Sequence, residues 1–275
     1  MRSAVRSLFT SIVVVAGLCS FVLLNVGSAQ AQRPVALELV LAVDTSTSVD
    51  TREFVLQRGG LAAAFRHPQV HAAIRTLGVS GMAVSVVAWA GQGQQRVVAG
   101  WSFIDGPSSS DRFADRIAAF QRPFKGFTDI AGALRFSTNA IMSNAFDGAK
   151  MKIDVSGDGT SDFDDPGFAR DKAVASGITV NGLAIHAEEY DLGTLARIDL
   201  QQHFTQRVIG GEGAFFMEVE SFEDFATAIR RKLVREIAGD AFARALMQPI
   251  SEKAGPIHQI ETAHSKPPLT AVRHN

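Results

Sequence analysis

The chain has 275 residues, 46% of them hydrophobic, which allows one large or two small domains with an ordinary core. Its formal net charge is −1, so the sequence lacks the basic field typical of proteins that bind nucleic acid. The one cysteine, Cys19, lies in the N-terminal segment discussed next. Disulfides, cysteine-ligated zinc and a cysteine nucleophile are therefore excluded from the rest of the chain.

The N-terminus has the pattern of a secretory signal peptide. Two arginines begin it, residues 12–26 are largely apolar, and an Ala-Gln-Ala cleavage site ends at Ala31. We expect a signal peptide, 1–31, that is removed on export, and a periplasmic or secreted protein. An uncleaved anchor is the alternative, because about seventeen residues from Phe9 onward nearly span a bilayer.

The stretch 37–50 organises the chain. Its first seven residues are apolar with one exception, which is typical of a strand buried on both faces of a parallel sheet. Asp44, Ser46 and Ser48 follow at every second position, where ligand sites lie in open α/β sheets. Oxygen ligands without sulfur or imidazole suit Mg²⁺, Mn²⁺ or Ca²⁺. The alternative is that one of these serines, or Asp50, only caps the following helix.

Periodicity predicts the other elements. Helices are expected over 51–66, 111–120, 128–143, 164–176, 192–204 and 222–237, and strands over 82–89, 95–104, 151–156, 178–185 and 214–219. The first two of these strands are predicted to form a hairpin, serines 108–110 to cap the next helix, and residues 230–235 to form a solvated helix face. This alternation predicts an α/β, doubly wound domain whose mostly parallel central sheet has about six strands flanked by helices. The domain is placed at 37–239 and a flexible C-terminal tail at 240–275.

Two further loops carry oxygen side chains at comparable positions. Thr128 lies between a glycine-containing turn and a predicted helix, and Asp158 follows a predicted strand. Because loops at the carboxyl ends of neighbouring parallel strands share one edge of a sheet, the three loops can build one site. Its predicted metal ligands are Asp44, Ser46, Ser48, Thr128 and Asp158. Two carboxylates and three hydroxyls suit Mg²⁺, or Mn²⁺ or Ca²⁺, and leave the cation able to accept a partner's carboxylate.

The three loops resemble a known metal site. D-T-S-T-S at 44–48, G-F-T-D at 126–129 and S-G-D-G at 156–159 are similar to the metal-ion-dependent adhesion site (MIDAS) of von Willebrand factor A-type domains. The resemblance covers about residues 37–239. In particular, the chain is similar to a family of exported bacterial proteins that carry such a domain and have no assigned function.

The resemblance implies roles for the site residues. Ser46, Ser48 and Thr128 would be near ligands, and Asp44 and Asp158 would bind the metal directly or through water. A partner's Asp or Glu would complete the shell. Ser156 departs from the pattern, since many A domains carry a hydrophobic residue or Thr there, but this should not alter the ligand set.

Two other interpretations use the same residues. Residues 154–165 imitate a calcium loop of the EF-hand type, although position 12 is Asp165 instead of the usual Glu and a strand pattern precedes the loop. A metal-assisted hydrolase is the second, but no general base is evident beside the loops.

Common catalytic motifs, such as the Gly-x-Ser-x-Gly elbow and the P-loop, are absent from the sequence. We therefore expect an exported, metal-dependent binding module and not an enzyme, with an unknown protein partner that presents Asp or Glu. A metal-free structural domain remains the third possibility.

Overall fold

The computed structural model describes residues 31–185 and 199–247. Its strands are β1 (Arg33–Val35), β2 (Leu37–Asp44), β3 (Met82–Trp89), β4 (Gln95–Ile104), β5 (Phe146–Gly148), β6 (Met151–Gly157), β7 (Ile178–Ile185) and β8 (Phe216–Val219). Its α-helices are α1 (Thr51–Phe65), α2 (Pro68–Arg75), α3 (Pro107–Ala119), α4 (Ile130–Met142), α5 (Pro166–Ala175), α6 (Leu200–His203), α7 (Phe225–Ala238) and α8 (Asp240–Met247). A 3-10 turn, Gly78–Ser80, precedes β3, and a π-helical turn, Phe204–Val208, follows α6.

Six strands form the central sheet in the order β4-β3-β2-β6-β7-β8. Only β4 runs antiparallel, paired with β3 as the predicted hairpin. The chain order reverses direction at β2, from which neighbours extend on both sides, as in a doubly wound sheet. The predicted fold class, α/β with about six strands flanked by helices, is confirmed.

The sheet has one apolar core on each face. Residues of α1, α2, α3, α7 and α8 cover one face, and residues of α4, α5 and the π-helical turn cover the other. All eight residues of β2 are buried because helices cover both sides of this central strand. Its carboxyl end, where Asp44 lies, is thus held on a rigid support.

A second, two-stranded sheet, β1 with β5, was not predicted from the sequence. It forms at the amino end of β2, where the buried Glu38 accepts hydrogen bonds from Gly148 N at 2.7 Å and from Asn144 Nδ2 at 2.5 Å. Burial raises the pKa of Glu38. The polar exception in an otherwise apolar strand therefore anchors β5.

Two helix starts bear on the predicted caps. Asp50 caps α1 in a capping box, since its Oδ1 accepts from Glu53 N at 2.8 Å and Glu53 Oε2 accepts from Asp50 N at 2.7 Å. The prediction that serines 108–110 cap the next helix is wrong. Helix α3 begins earlier, at Pro107, because proline suits the first helical position, and the hydroxyl of Ser109 accepts the Gly106 N–H from inside the helix.

The expected solvated face at residues 230–235 is also wrong for Lys232, which is fully buried. Its Nζ lies 2.7 Å from Asp154 Oδ1 on β6 and 2.9 Å from Glu236 Oε1 one turn further along α7. Asn181 Nδ2 donates to both oxygens of Glu236 at 2.8 Å. Opposite charges and an amide thus compensate one another where α7 crosses the sheet.

The predicted tail, 240–275, begins with ordered structure. Helix α8 occupies its first eight residues, and Ala243 is buried in the core beside α7. The rest of that segment, the predicted signal peptide apart from residue 31, and the first part of the predicted helix 192–204 lie outside the described residues. Among the described helices, none is long and apolar enough to cross a membrane.

Candidate metal centre

The base of the site is the carboxyl end of β2. Asp44 is fully buried, and its Oδ1 accepts the Ser46 N–H at 2.7 Å, which turns the chain sharply after the strand. Room for this carboxylate depends on Gly157 at the end of β6. A Cβ there would lie 3.0 Å from Asp44 Oδ2 and 3.3 Å from the Trp89 ring.

The loop after β2 is fixed by bonds to its neighbours. Thr45 N donates to Trp89 O and Thr47 N donates to Gly126 O, both at 2.8 Å. Arg122 spans the loop from outside, donating to the carbonyls of Thr45 and Ser46. Because the loop backbone is held from both sides, its serine side chains have defined positions.

Neither site serine caps the following helix, since Asp50 fills that role. The hydroxyls of Ser46 and Ser48 are instead 3.0 Å apart. Ser46 is 1% exposed, whereas Ser48 is exposed at the surface. The site is therefore closed at its base and open to solvent at Ser48.

The second carboxylate comes from the loop after β6. Asp158 is 1% exposed, and its Oδ1 accepts from Ser48 Oγ at 2.7 Å. Hydrogen bonds thus join Asp44, Ser46, Ser48 and Asp158 in one continuous chain across two adjacent strands.

Thr128 belongs to a third loop, which contacts both the loop after β2 and the loop after β6. It is 8% exposed and immediately precedes Asp129, whose Oδ1 caps α4 by accepting from Gly132 N at 2.7 Å. Thr128 N donates to Asp162 Oδ2 and Asp162 N donates to Thr128 O, both at 2.8 Å. The structure therefore brings all five predicted ligand residues to one edge of the sheet, with Thr128 held by a loop contact instead of a bond to the other four.

Two supporting residues were missed by sequence reasoning. Arg122 lies in an irregular segment between α3 and α4, and no pattern in the sequence ties it to the loop after β2. Asp162 is four residues beyond Asp158 and was seen only as part of a calcium-loop pattern. The cluster of acidic residues at 158–165 is the sequence signal that could have indicated Asp162. Its partner, the backbone N–H of Thr128, leaves no pattern in the sequence.

The calcium-loop alternative at 154–165 is wrong because the carboxylates at the two ends of the loop bind other residues of the protein. Asp154 pairs with Lys232 on the α7 side of the sheet. Asp164 lies 3.0 Å from Arg135, and Asp165 caps α5 by accepting from Gly167 N at 2.8 Å. The loop follows a strand, so its oxygen atoms do not converge as in a helix-loop-helix calcium site.

Burial makes the two site carboxylates difficult to ionise. It raises the pKa of Asp44 well above 3.8, and the nearby charge of Asp158 raises it further. Burial also raises the pKa of Asp158 to about 6, although the hydrogen bond from Ser48 opposes this. A cation between the carboxylates would remove both penalties, because opposite charge favours the ionised form.

The donor set fits a hard divalent cation. Within the described part of the chain, Asp44 Oδ2 and Asp158 Oδ2 are buried without a hydrogen-bond partner. Such atoms are costly unless an ion or water binds them. The described residues contain no group of three or more His, Cys, Asp or Glu side chains suited to a metal, so a cation held here would take its other ligands from hydroxyl oxygens and water.

Solved structures with a similar fold include proximal thread matrix protein 1 (PTMP1) from the mussel byssus with a zinc-occupied MIDAS motif. It aligns with a TM-score of 0.53 and 16% identity over 76% of this chain and 49% of that chain. The pilus adhesin SpaC from Lactobacillus rhamnosus GG aligns with a TM-score of 0.53 and 14% identity over 76% of this chain and 31% of that chain. The chain thus spans about half of PTMP1 and less than a third of SpaC, and these likenesses concern the fold alone.

The fold is von Willebrand factor A-like, as the three loops predicted. A comparison with curated proteins finds no match. The model of a family described as "Protein of unknown function (DUF1194)" matches residues 34–241, which is most of the chain, and the protein belongs to that family.

Proposed function

We propose that the protein is an exported, metal-dependent protein-binding module of the adhesion type. A divalent cation, Mg²⁺ or else Mn²⁺ or Ca²⁺, is held by the oxygens of five residues, namely Asp44, Ser46, Ser48, Thr128 and Asp158. The observation that carries this proposal is a pair of buried carboxylate oxygens, one on Asp44 and one on Asp158, that have no hydrogen-bond partner among the described residues, with two serine hydroxyls between the carboxylates.

The low protein charge of the site supports a role in binding acidic groups. Two carboxylates balance one dication, so the bound metal keeps affinity for a further anion at the side open to solvent. A partner's Asp or Glu supplies that anion. Two proteins of similar fold, a byssus matrix protein with an occupied MIDAS motif and a pilus adhesin, are consistent with this class of function.

A defined carboxylate tests the proposal. Bound Mn²⁺ enhances the relaxation of water protons, and a carboxylate that displaces its water lowers this enhancement. We expect glutarate to lower it in a saturable way at millimolar concentration, and uncharged glutaramide to have no effect. Enhancement that glutarate leaves unchanged would contradict capture of an acidic group.

The place of action follows from the N-terminal pattern, and we infer a periplasmic or secreted protein. Cell fractionation and the mass of the purified protein test this inference. A chain that begins after Ala31 and is found outside the cytoplasm is expected, whereas an intact N-terminus in the membrane fraction would indicate the uncleaved anchor.

A further inference from the structure

Two exposed phenylalanines form an aromatic pair beside the candidate metal centre. The side chain of Phe127 is 72% exposed and that of Phe163 is 42% exposed. Their rings are edge to face, with centroids 6.1 Å apart. A single exposed apolar residue is ordinary on a protein surface, but two rings in contact on different loops form a continuous apolar surface.

The loop contact described above fixes this pair next to the site. Phe127 is adjacent in sequence to Thr128, and Phe163 is adjacent to Asp162. The two 2.8 Å hydrogen bonds between Thr128 and Asp162 join the loops back to back. Since neighbouring Cα atoms are about 3.8 Å apart, both rings lie within one residue of the contact that positions Thr128.

The charges around the pair favour an acidic ligand. Asp164 is paired with Arg135 at 3.0 Å, and Asp165 with Arg207 at 2.8 Å, so these carboxylates are compensated within the protein. Exposed Lys125 adds a positive charge two residues before Phe127. Lys125 opposes the exposed carboxylate of Asp162, which lies next to Phe163. With the two site carboxylates balanced by a dication, the groups named around the rings carry no net negative charge to repel an anion.

We propose that Phe127 and Phe163 form a specificity subsite that contacts a large apolar side chain next to the metal-binding Asp or Glu of a partner segment. This inference rests on the proposed function of the metal centre. Aromatic side chains supply large contact area with few rotatable bonds and are common anchors of binding energy. The metal thus selects the carboxylate, and the aromatic pair selects its neighbour in the partner sequence.

Selection from a library of random heptapeptides, displayed on phage and panned against the exported protein in Mg²⁺, tests the subsite. We expect selected peptides to contain Asp or Glu next to Leu, Ile, Phe or Trp. Panning against the double variant Phe127→Ser/Phe163→Ser should keep the acidic residue and lose the apolar neighbour. The best wild-type peptide should bind that variant about tenfold more weakly or worse.

Val79→Ser is the matched control, because Val79 is 97% exposed and lies at the opposite edge of the sheet, before β3. It should leave the selected sequences unchanged. An apolar preference that persists in the double variant, or acidic peptides without such a preference, would overturn the subsite alone. Selected peptides without an acidic residue, or no selection at all, would overturn the proposed function and the subsite with it.

Discussion

Asp158→Asn is expected to stabilise the metal-free protein, although it removes a site residue. In the fold, burial raises the pKa of Asp158 from 3.8 to about 6, so ionising this group at neutral pH costs about 3 kcal/mol of folding free energy. The neutral amide avoids this cost, and its carbonyl oxygen can still accept from Ser48. Its buried NH₂ group lacks a partner, which costs about 1 kcal/mol and leaves a net gain of about 2 kcal/mol.

The sign of this effect depends on pH. Because the folded protein binds the Asp158 proton more tightly than the unfolded chain does, the cost is absent below about pH 3.8, grows as pH rises, and is complete above about pH 6. The variant should therefore be more stable than the wild type at pH 7 in chelator. At pH 4 most of this cost is absent, while the unpaired NH₂ group still destabilises, so the variant should there be slightly less stable than the wild type, by less than about 1 kcal/mol.

Thermal denaturation in chelator and in Mg²⁺ measures both effects. A gain of about 2 kcal/mol corresponds to roughly 4–8 °C in Tm for a domain of this size. Saturating Mg²⁺ should raise the Tm of the wild type and not that of the variant, since a ligand of the native state stabilises it. Asp147→Asn, an exposed change on β5, should alter stability by less than about 0.5 kcal/mol. A variant less stable than the wild type at pH 7 in chelator would refute the reasoning.

Three other changes test separate parts of the structure. Asp162→Ala removes the acceptor of the Thr128 N–H and should weaken Mg²⁺ binding about tenfold in calorimetry. Asp162→Asn keeps an acceptor oxygen and should bind Mg²⁺ nearly as the wild type does. Equal binding by both variants would contradict the positioning role. In α1, Gly59→Ala should stabilise the protein by about 0.5–1 kcal/mol because nothing lies within 4 Å of the added Cβ. Gly60→Ala should destabilise the protein by about 1–3 kcal/mol because its Cβ would lie 3.0 Å from the backbone of α7. Changes of the same sign for both variants in urea denaturation would be inconsistent with this packing. Lys232→Met leaves the buried Asp154 without its cation and Glu236 with only Lys152, 3.6 Å away. It should cost about 3–5 kcal/mol in urea denaturation, and a loss below about 1 kcal/mol would show that the cluster is not coupled to stability.

The fold could be predicted from the sequence because its main signals are local. A run of seven mostly apolar residues before Asp44, and the alternation of strand and helix patterns after it, determine the parallel sheet and place three polar loops at one edge. Four of the five predicted ligand residues lie together for the same reason, since parallel neighbours β2 and β6 end side by side. The order of the strands was therefore enough to predict which loops lie together.

The remaining features depend on long-range contacts that have no local pattern. Lys232 occupies a charged stretch typical of a solvated helix, and its burial depends on Asp154, which is 78 residues away in sequence, in addition to Glu236 one turn further along. Arg122 and Asp162 act through backbone groups of other loops, which any sequence provides. Such partners become visible only when the chain is folded.

Calorimetric titration of the purified protein with Mg²⁺, Mn²⁺ and Ca²⁺, repeated on Asp44→Asn, tests the central claim most directly. Asp44 is fully buried and has an oxygen without a partner among the described residues, so a cation at this site must reach it or its bound water. We predict one binding event for Mg²⁺ or Mn²⁺ that becomes at least about tenfold weaker in the variant. Binding of equal strength in both proteins, or no binding in either, would contradict a metal centre at the carboxyl edge of this sheet.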